Sequence, residues 1–134
     1  MSVKIIDKLG LITLSEHKIA MVRSHNKSLF YIPGGKREQG ESDEQALCRE
    51  ISEELKLDLI VGSIRFYGEF IGPADGKSDG TLVRIRCYFA DYTGEPQPAA
   101  EIAELDWFSI HDLPRCSSTA VTILTRLKKE GLIK

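Results

Sequence analysis

Residues 35–57 read Gly-Lys-Arg-Glu-Gln-Gly-Glu-Ser-Asp-Glu-Gln-Ala-Leu-Cys-Arg-Glu-Ile-Ser-Glu-Glu-Leu-Lys-Leu. A turn-forming entry, Pro33-Gly34-Gly35-Lys36, leads into Glu41, and then into Arg49, Glu50, the apolar Ile51, Glu53 and Glu54. At 3.6 residues per turn, Leu47, Ile51 and Leu55 fall on one stripe, which predicts a helix with that stripe buried. Ser42 or Asp43 is placed to cap it. Glu50, Glu53 and Glu54 occupy the neighbouring sector, and Arg49, Ser52 and Lys56 point farthest from the core. The three carboxylates therefore border the core, directly after glycines that let a phosphate or metal approach the backbone.

Glu50 forms like-charge pairs with Glu53 and Glu54 at helical spacing. Each pair costs roughly 0.2–0.5 kcal/mol on an exposed face and more in an enclosed one. A hard divalent cation with oxygen ligands reverses that penalty. Three glutamates on a helix, taken alone, are most often a solvated face. Gly35, Glu41, Arg49, Glu50, Glu53 and Glu54 together would coincide by chance about once in ten million starts at ordinary residue frequencies, and that decides for a site.

The spacing resembles the Nudix box, Gly-x5-Glu-x7-Arg-Glu-U-x-Glu-Glu-x-Gly-U, where U is a bulky aliphatic. The resemblance covers the box specifically and the rest of the chain more loosely, including Pro33-Gly34-Gly35-Lys36 and Trp107-Phe108. It implies an α/β Nudix fold, a mixed β-sheet sandwiched between α-helices. It also implies an enzyme that hydrolyses a nucleoside diphosphate linked to another group, with Mg2+ as cofactor and Mn2+ as a substitute. The implied metal set is Glu50, Glu53 and Glu54 with Gly35. Glu53 is read either as a ligand or as the general base. Glu41 and Arg49 form an internal ion pair that holds loop against helix. Many members draw a further acid from a loop outside the box; Glu101 is the preferred candidate here, ahead of Glu104 and Glu69. Lys56 stands where the box has its second glycine, which normally leaves the helix in a left-handed conformation. A lysine there costs on the order of 1 kcal/mol, an argument for a different helix exit.

The small size resembles mutator-type members that convert nucleoside triphosphates, oxidised ones included, to monophosphate and pyrophosphate. ADP-ribose or another nucleotide sugar is the rival substrate, with Pro73, sixteen residues past the box, as its weak marker. A nucleotide-sensing module without turnover is the alternative from another class, and the complete set of box carboxylates speaks against it. For substrate binding the candidates are Arg23, Gly34, Gly35, Lys36, Arg84 and Arg86. Phe30, Tyr31, Tyr67 and Phe70 are aromatics able to stack on a base, although strand aromatics are more often core.

With 134 residues, the chain is expected to form one domain over residues 1–134, large enough for a real core. A net charge of −2 gives no global reason to bind nucleic acid or an anionic membrane. Three cysteines without metal-ligand spacing argue against a disulfide framework and for a reducing compartment. Residues 1–7 lack the apolar stretch of a signal peptide, and no run approaches a membrane span. A cytoplasmic location follows as the expectation. The expected partner is a small nucleotide substrate, without stable nucleic-acid binding or membrane association, in a monomer or homodimer.

Apolar runs at residues 3–14 and 18–23, separated by Ser15-Glu16-His17, predict a hairpin. Residues 29–32 predict a short strand stopped by Pro33-Gly34-Gly35. Residues 58–71 read as strand interrupted near Gly62 and Gly68. Residues 81–92 read as a long strand with Arg84 and Arg86 on one face and Val83, Ile85 and Cys87 on the other. A strand over 105–110 and an amphipathic helix over 119–129 close the chain.

Overall fold

A computed structural model describes residues 3–134. Met1 and Ser2, part of the N-terminal segment on which the signal-peptide reading rests, lie outside the described residues. The first apolar run divides between two sheets rather than forming one arm of a hairpin. β1 (Ile5–Leu11) enters a mixed sheet, while β2 (Leu14–Ser15) pairs with β3 (Lys18–Ser24) through a turn in which Glu16 and His17 both have positive φ. β3 in turn pairs antiparallel with β9 (Ile102–Phe108).

The strand expected over residues 29–32 is replaced by isolated bridges of Phe30 and Tyr31, and the pairing strand is β4 (Gly34–Lys36). The glycines expected to stop a strand instead form one. Gly34 has φ 142°, and a Cβ there would lie 2.0 Å from the Leu9 carbonyl oxygen, an approach only glycine allows. The mixed sheet runs β4-β1-β7-β6, with β6 (Arg65–Pro73) and β7 (Leu82–Phe89) antiparallel and β1 parallel to β7. The interruption near Gly62 is a 3-10 turn over Val61–Ser63, and the one near Gly68 is a register shift between Phe66 and Gly68. β5 (Asp58–Leu59) and β8 (Tyr92–Thr93) make a small separate pair.

α1 (Asp43–Leu55) covers one face of the mixed sheet and α2 (Ser118–Lys129) the other. Alternation along the strands sorts the side chains. Leu9, Leu11 and Tyr88 join Leu47, Ile51 and Leu55 beneath α1, while Ile85, Cys87 and Phe70 join Ile123, Leu124 and Leu127 beneath α2. The fold is thus a mixed sheet between helices. Among the described residues no helix is long and apolar enough to cross a membrane.

Candidate active site

α1 begins with a capping box. Ser42 accepts a hydrogen bond from the Gln45 N–H, and the Gln45 side chain accepts one from the Ser42 N–H. Its exit overturns the expectation drawn from Lys56. That residue takes the left-handed conformation at φ 58° and ψ 35°, and its N–H donates to the Ser52 carbonyl. The residue after it, Leu57, is fully buried, so anchoring the next segment outweighs the local strain. The Gln97 and Ala99 N–H groups then donate to the Leu55 and Glu54 carbonyls, 3.1 and 2.9 Å away. This satisfies orphan groups at the helix end and delivers the loop carrying Glu101 to the side of the helix that carries Glu54.

Glu50, Glu54 and Glu101 converge, each offering a carboxylate oxygen within 4.8 Å of the others. Glu54 is only 5% exposed although it is an acid. The Gly34 N–H donates to its Oε1 at 3.0 Å. Glu50 is held at its Oε1 by the Arg49 guanidinium, 2.9 Å away. In both residues one oxygen is anchored and Oε2 is left for another partner. Gly35 admits Glu50: a Cβ on Gly35 would sit 2.3 Å from Glu50 Oε2. Burial, with the charges of Glu101 and Glu50 added, pushes the Glu54 carboxyl up to about 8 against the opposing Gly34 hydrogen bond. Burial likewise raises Glu50, although Arg49 opposes it. Burial beside like charges is what makes these two acids hard to ionise. An all-oxygen, carboxylate-rich donor set suits a hard divalent cation.

Arg49 organises the loop around this cluster. It donates to both oxygens of Glu41 at 2.7 and 2.8 Å, and to the Lys36 carbonyl at 3.1 Å. The bidentate pair holds the Glu41 carboxyl down at about 2. Glu53 stands apart from the trio, on the solvent side, 3.5 Å from Arg49 and with half of its side chain exposed.

A cleft of about 450 Å³ opens beside the trio, and Gly34, Gly35 and Lys36 line it. The other candidate substrate residues lie elsewhere. Arg84 and Arg86 are on the α1 face of the sheet, where Arg84 lies 3.8 Å from Asp7 and Arg86 pairs with Asp43 and Glu69 at 2.7 and 2.9 Å. The cleft takes the other side of that strand, Val83 and Ile85. Arg23 is bound to Glu104 at 3.2 Å. Glu69 and Glu104, the lesser candidates for the extra acid, are therefore already neutralised by arginines. Of the four aromatics, Tyr31 lines the cleft, while Phe30 and Phe70 are core.

The residue missing from the sequence reading is Lys8, which lines the cleft from the middle of β1. Its signal was a charge between the apolar Ile6 and Leu9, on the alternate parity from Leu9 and Leu11.

The family model described as the NUDIX domain matches residues 7–126. The chain is 38% identical over 96 residues to the oxidized purine nucleoside triphosphate hydrolase of Danio rerio, covering 68% of this chain and 56% of that protein. It is 31% identical over 103 residues to the ADP-ribose pyrophosphatase of Methanocaldococcus jannaschii, covering 75% and 59%. The chain thus spans somewhat over half the length of these two relatives. The solved MutT NUDIX hydrolase from Burkholderia pseudomallei matches with a TM-score of 0.74 at 25% identity, over 92% of this chain and 97% of that one. Box, fold and sequence likeness converge, and the chain belongs to the Nudix hydrolase family as a MutT-like pyrophosphohydrolase.

Proposed function

We propose that residues 1–134 act as one Mg2+-dependent hydrolase domain that cleaves nucleoside triphosphates, oxidised ones included, to monophosphate and pyrophosphate. The observation that carries this reading is the convergence of Glu50, Glu54 and Glu101 beside a glycine loop and a nucleotide-sized cleft. Nudix hydrolases generally use divalent metal ions, and the trio's donor chemistry fits one. Glu50, Glu54 and Glu101 would hold it, with the Gly35 backbone adjacent and Glu53 at the outer edge as a further ligand or water base. Mn2+ is the expected substitute. When bound, the cation supplies positive charge to the phosphate oxygens and acidifies water.

The chain's own residues do the rest. Arg49 fixes Glu50 and ties the glycine loop to α1. Gly34 fixes Glu54. A free carboxylate oxygen accepts the proton as water adds to one phosphorus of the α–β anhydride, and the bond from that phosphorus to the bridging oxygen breaks, its electron pair leaving on the other phosphoryl product. The apolar walls of Val83, Ile85 and Ile123 give a nucleobase a dry surface. A nucleotide as small-molecule partner and a cytoplasmic setting belong to the same proposal.

The test is phosphate and pyrophosphate release from the standard and oxidised nucleoside triphosphates, ADP-ribose and sugar nucleotides, with Mg2+ and with chelator. Chelator-sensitive turnover led by a triphosphate supports the proposal. Turnover led by ADP-ribose would replace its substrate, in keeping with the activity named for the Methanocaldococcus relative. Silence with nucleotide binding intact would leave a sensing module.

A further inference from the structure

The cleft is electrically divided. Glu50 and Glu54 stand against the glycines of β4 with Glu101 beside them, the apolar Val83 and Ile85 line the cleft from β7, across β1 from β4, and Asp75 lines it from a loop. Lys8 rises from β1, between β4 and β7. Its register places it opposite Lys36 on β4 and Ile85 on β7. Lys27, from the segment after β3, also lines the cleft, and its Nζ lies beside Gly76 on the facing loop.

Lys8 is half-buried, yet among the described residues it has no carboxylate partner. Its ammonium stands over the Tyr31 ring, with Nζ 5.6 Å from the centroid. Every arginine but Arg65 is paired with a carboxylate, whereas among the described residues no lysine is; Lys8 is set apart because every other lysine is exposed to solvent. Burial and the like charge of Lys36, with Lys27 adding to it, make the Lys8 ammonium harder to keep charged, against the attraction of Glu54 and Glu50. A half-buried unpaired cation among like charges is unfavourable in the free protein. Local conflicts of this kind concentrate at functional sites, and a polyanion laid across the lysines would relieve this one.

The order of groups along the cleft says which polyanion. An anion held at the acidic cluster through a divalent cation meets Lys8 and Lys36 immediately beyond it. A diphosphate esterified at both ends has little charge left to offer there, whereas a free triphosphate tail carries additional charged oxygens. We propose that Lys8, flanked by Lys36 and Lys27, is the seat for substrate phosphates outside the carboxylate cluster, and that it selects nucleotides with a free tail of three or more phosphates over doubly esterified diphosphates. This rests on the nucleotide pyrophosphohydrolase reading above and deepens it.

The experiment is calorimetric binding of inorganic tripolyphosphate and of pyrophosphate at saturating Mg2+, to the unsubstituted chain and to Lys8→Met, Lys8→Arg and Lys27→Met. Tripolyphosphate should bind the unsubstituted chain at least about tenfold more tightly than pyrophosphate, the scale of one charge-assisted contact. Lys8→Met should lose most of that preference and Lys8→Arg should keep it. Lys27→Met, at an exposed side chain, should reduce it by about threefold, a rim charge being worth less. In turnover, Lys8→Met should raise KM for a triphosphate far more than KM for ADP-ribose. A preference unchanged in Lys8→Met, or absent from the unsubstituted chain, overturns the proposal. So does an equal loss of nucleoside binding, which would place Lys8 on the base or sugar. Calorimetry needs no turnover, so a chain that bound tripolyphosphate in this way but hydrolysed nothing would refute the proposed activity and leave the seat standing.

Discussion

Glu54 offers the sharpest test of the acidic cluster, because it is nearly as buried as the core and yet ionisable. Burial and the neighbouring Glu101 and Glu50 push its carboxyl from 4.5 up to about 8. In the unfolded chain it is ionised above about pH 4.5, so between the two values the folded state binds a proton that the unfolded state has released. Stability must therefore fall as pH rises through that window. At about 1.4 kcal/mol per pH unit, the penalty grows from about 1 kcal/mol at pH 5 to about 3 at pH 7 and about 5 at pH 9. Glu54→Gln escapes it, since the amide oxygen can still accept the Gly34 hydrogen bond. In chelator at pH 7 the glutamine variant should melt about 10 °C higher than its parent, at about 3–4 °C per kcal/mol for a chain of this size. The gap should shrink toward pH 5 and widen toward pH 9. Adding Mg2+ should reverse the order of benefit. The parent gains about 2.7 kcal/mol when Mg2+ stands at a hundred times its dissociation constant, and the variant gains far less while losing turnover by orders of magnitude. Thermal melts across pH, with and without chelator, measure all of this. A gap that stays constant with pH, or a glutamine variant less stable than its parent in chelator at pH 7, would refute the reasoning.

Other expectations follow from the same geometry. Glu101→Gln should weaken Mg2+-dependent turnover strongly and Glu104→Gln hardly at all, because Glu104 is engaged by Arg23; initial rates against Mg2+ concentration compare them. Glu53→Gln should reduce turnover less than Glu54→Gln, since Glu53 stands on the solvent side of the cluster. Gly35→Ala should displace Glu50 from a position where the new Cβ would overlap its carboxylate, visible as weakened Mg2+ protection in melts as well as lost activity. Lys56→Gly should stabilise the chain by about 1 kcal/mol by relieving a left-handed lysine, with turnover kept; a lower melting temperature would show that the lysine side chain contributes something the backbone argument omits.

Much of the site was legible before folding because helical spacing is a local property. Leu47, Ile51 and Leu55 define which way α1 faces, and that alone puts Glu50 and Glu54 at the border of the core. The Glu41–Arg49 pair is also local enough for spacing to identify. Alternation likewise separated Arg84 and Arg86 from Val83 and Ile85, but it cannot say which set looks into a cleft. That depends on which helix covers which face, and the two arginines turned out to lie beneath α1. Glu53 shares its sector with the other glutamates on a helical wheel, yet only packing distinguishes its exposed position from Glu54's enclosed one.

By itself, then, the sequence determined the family and the helix that carries two of the three converging acids, since each depends on residues close together along the chain. Only the tertiary structure decided that Glu101 completes the cluster, that Lys56 accepts a left-handed conformation so that Leu57 can be buried, and that Lys8 faces the cleft. Those outcomes depend on contacts between segments tens of residues apart, such as the loop hydrogen bonds onto the end of α1 and the parallel register of β1 with β7, which no local periodicity encodes.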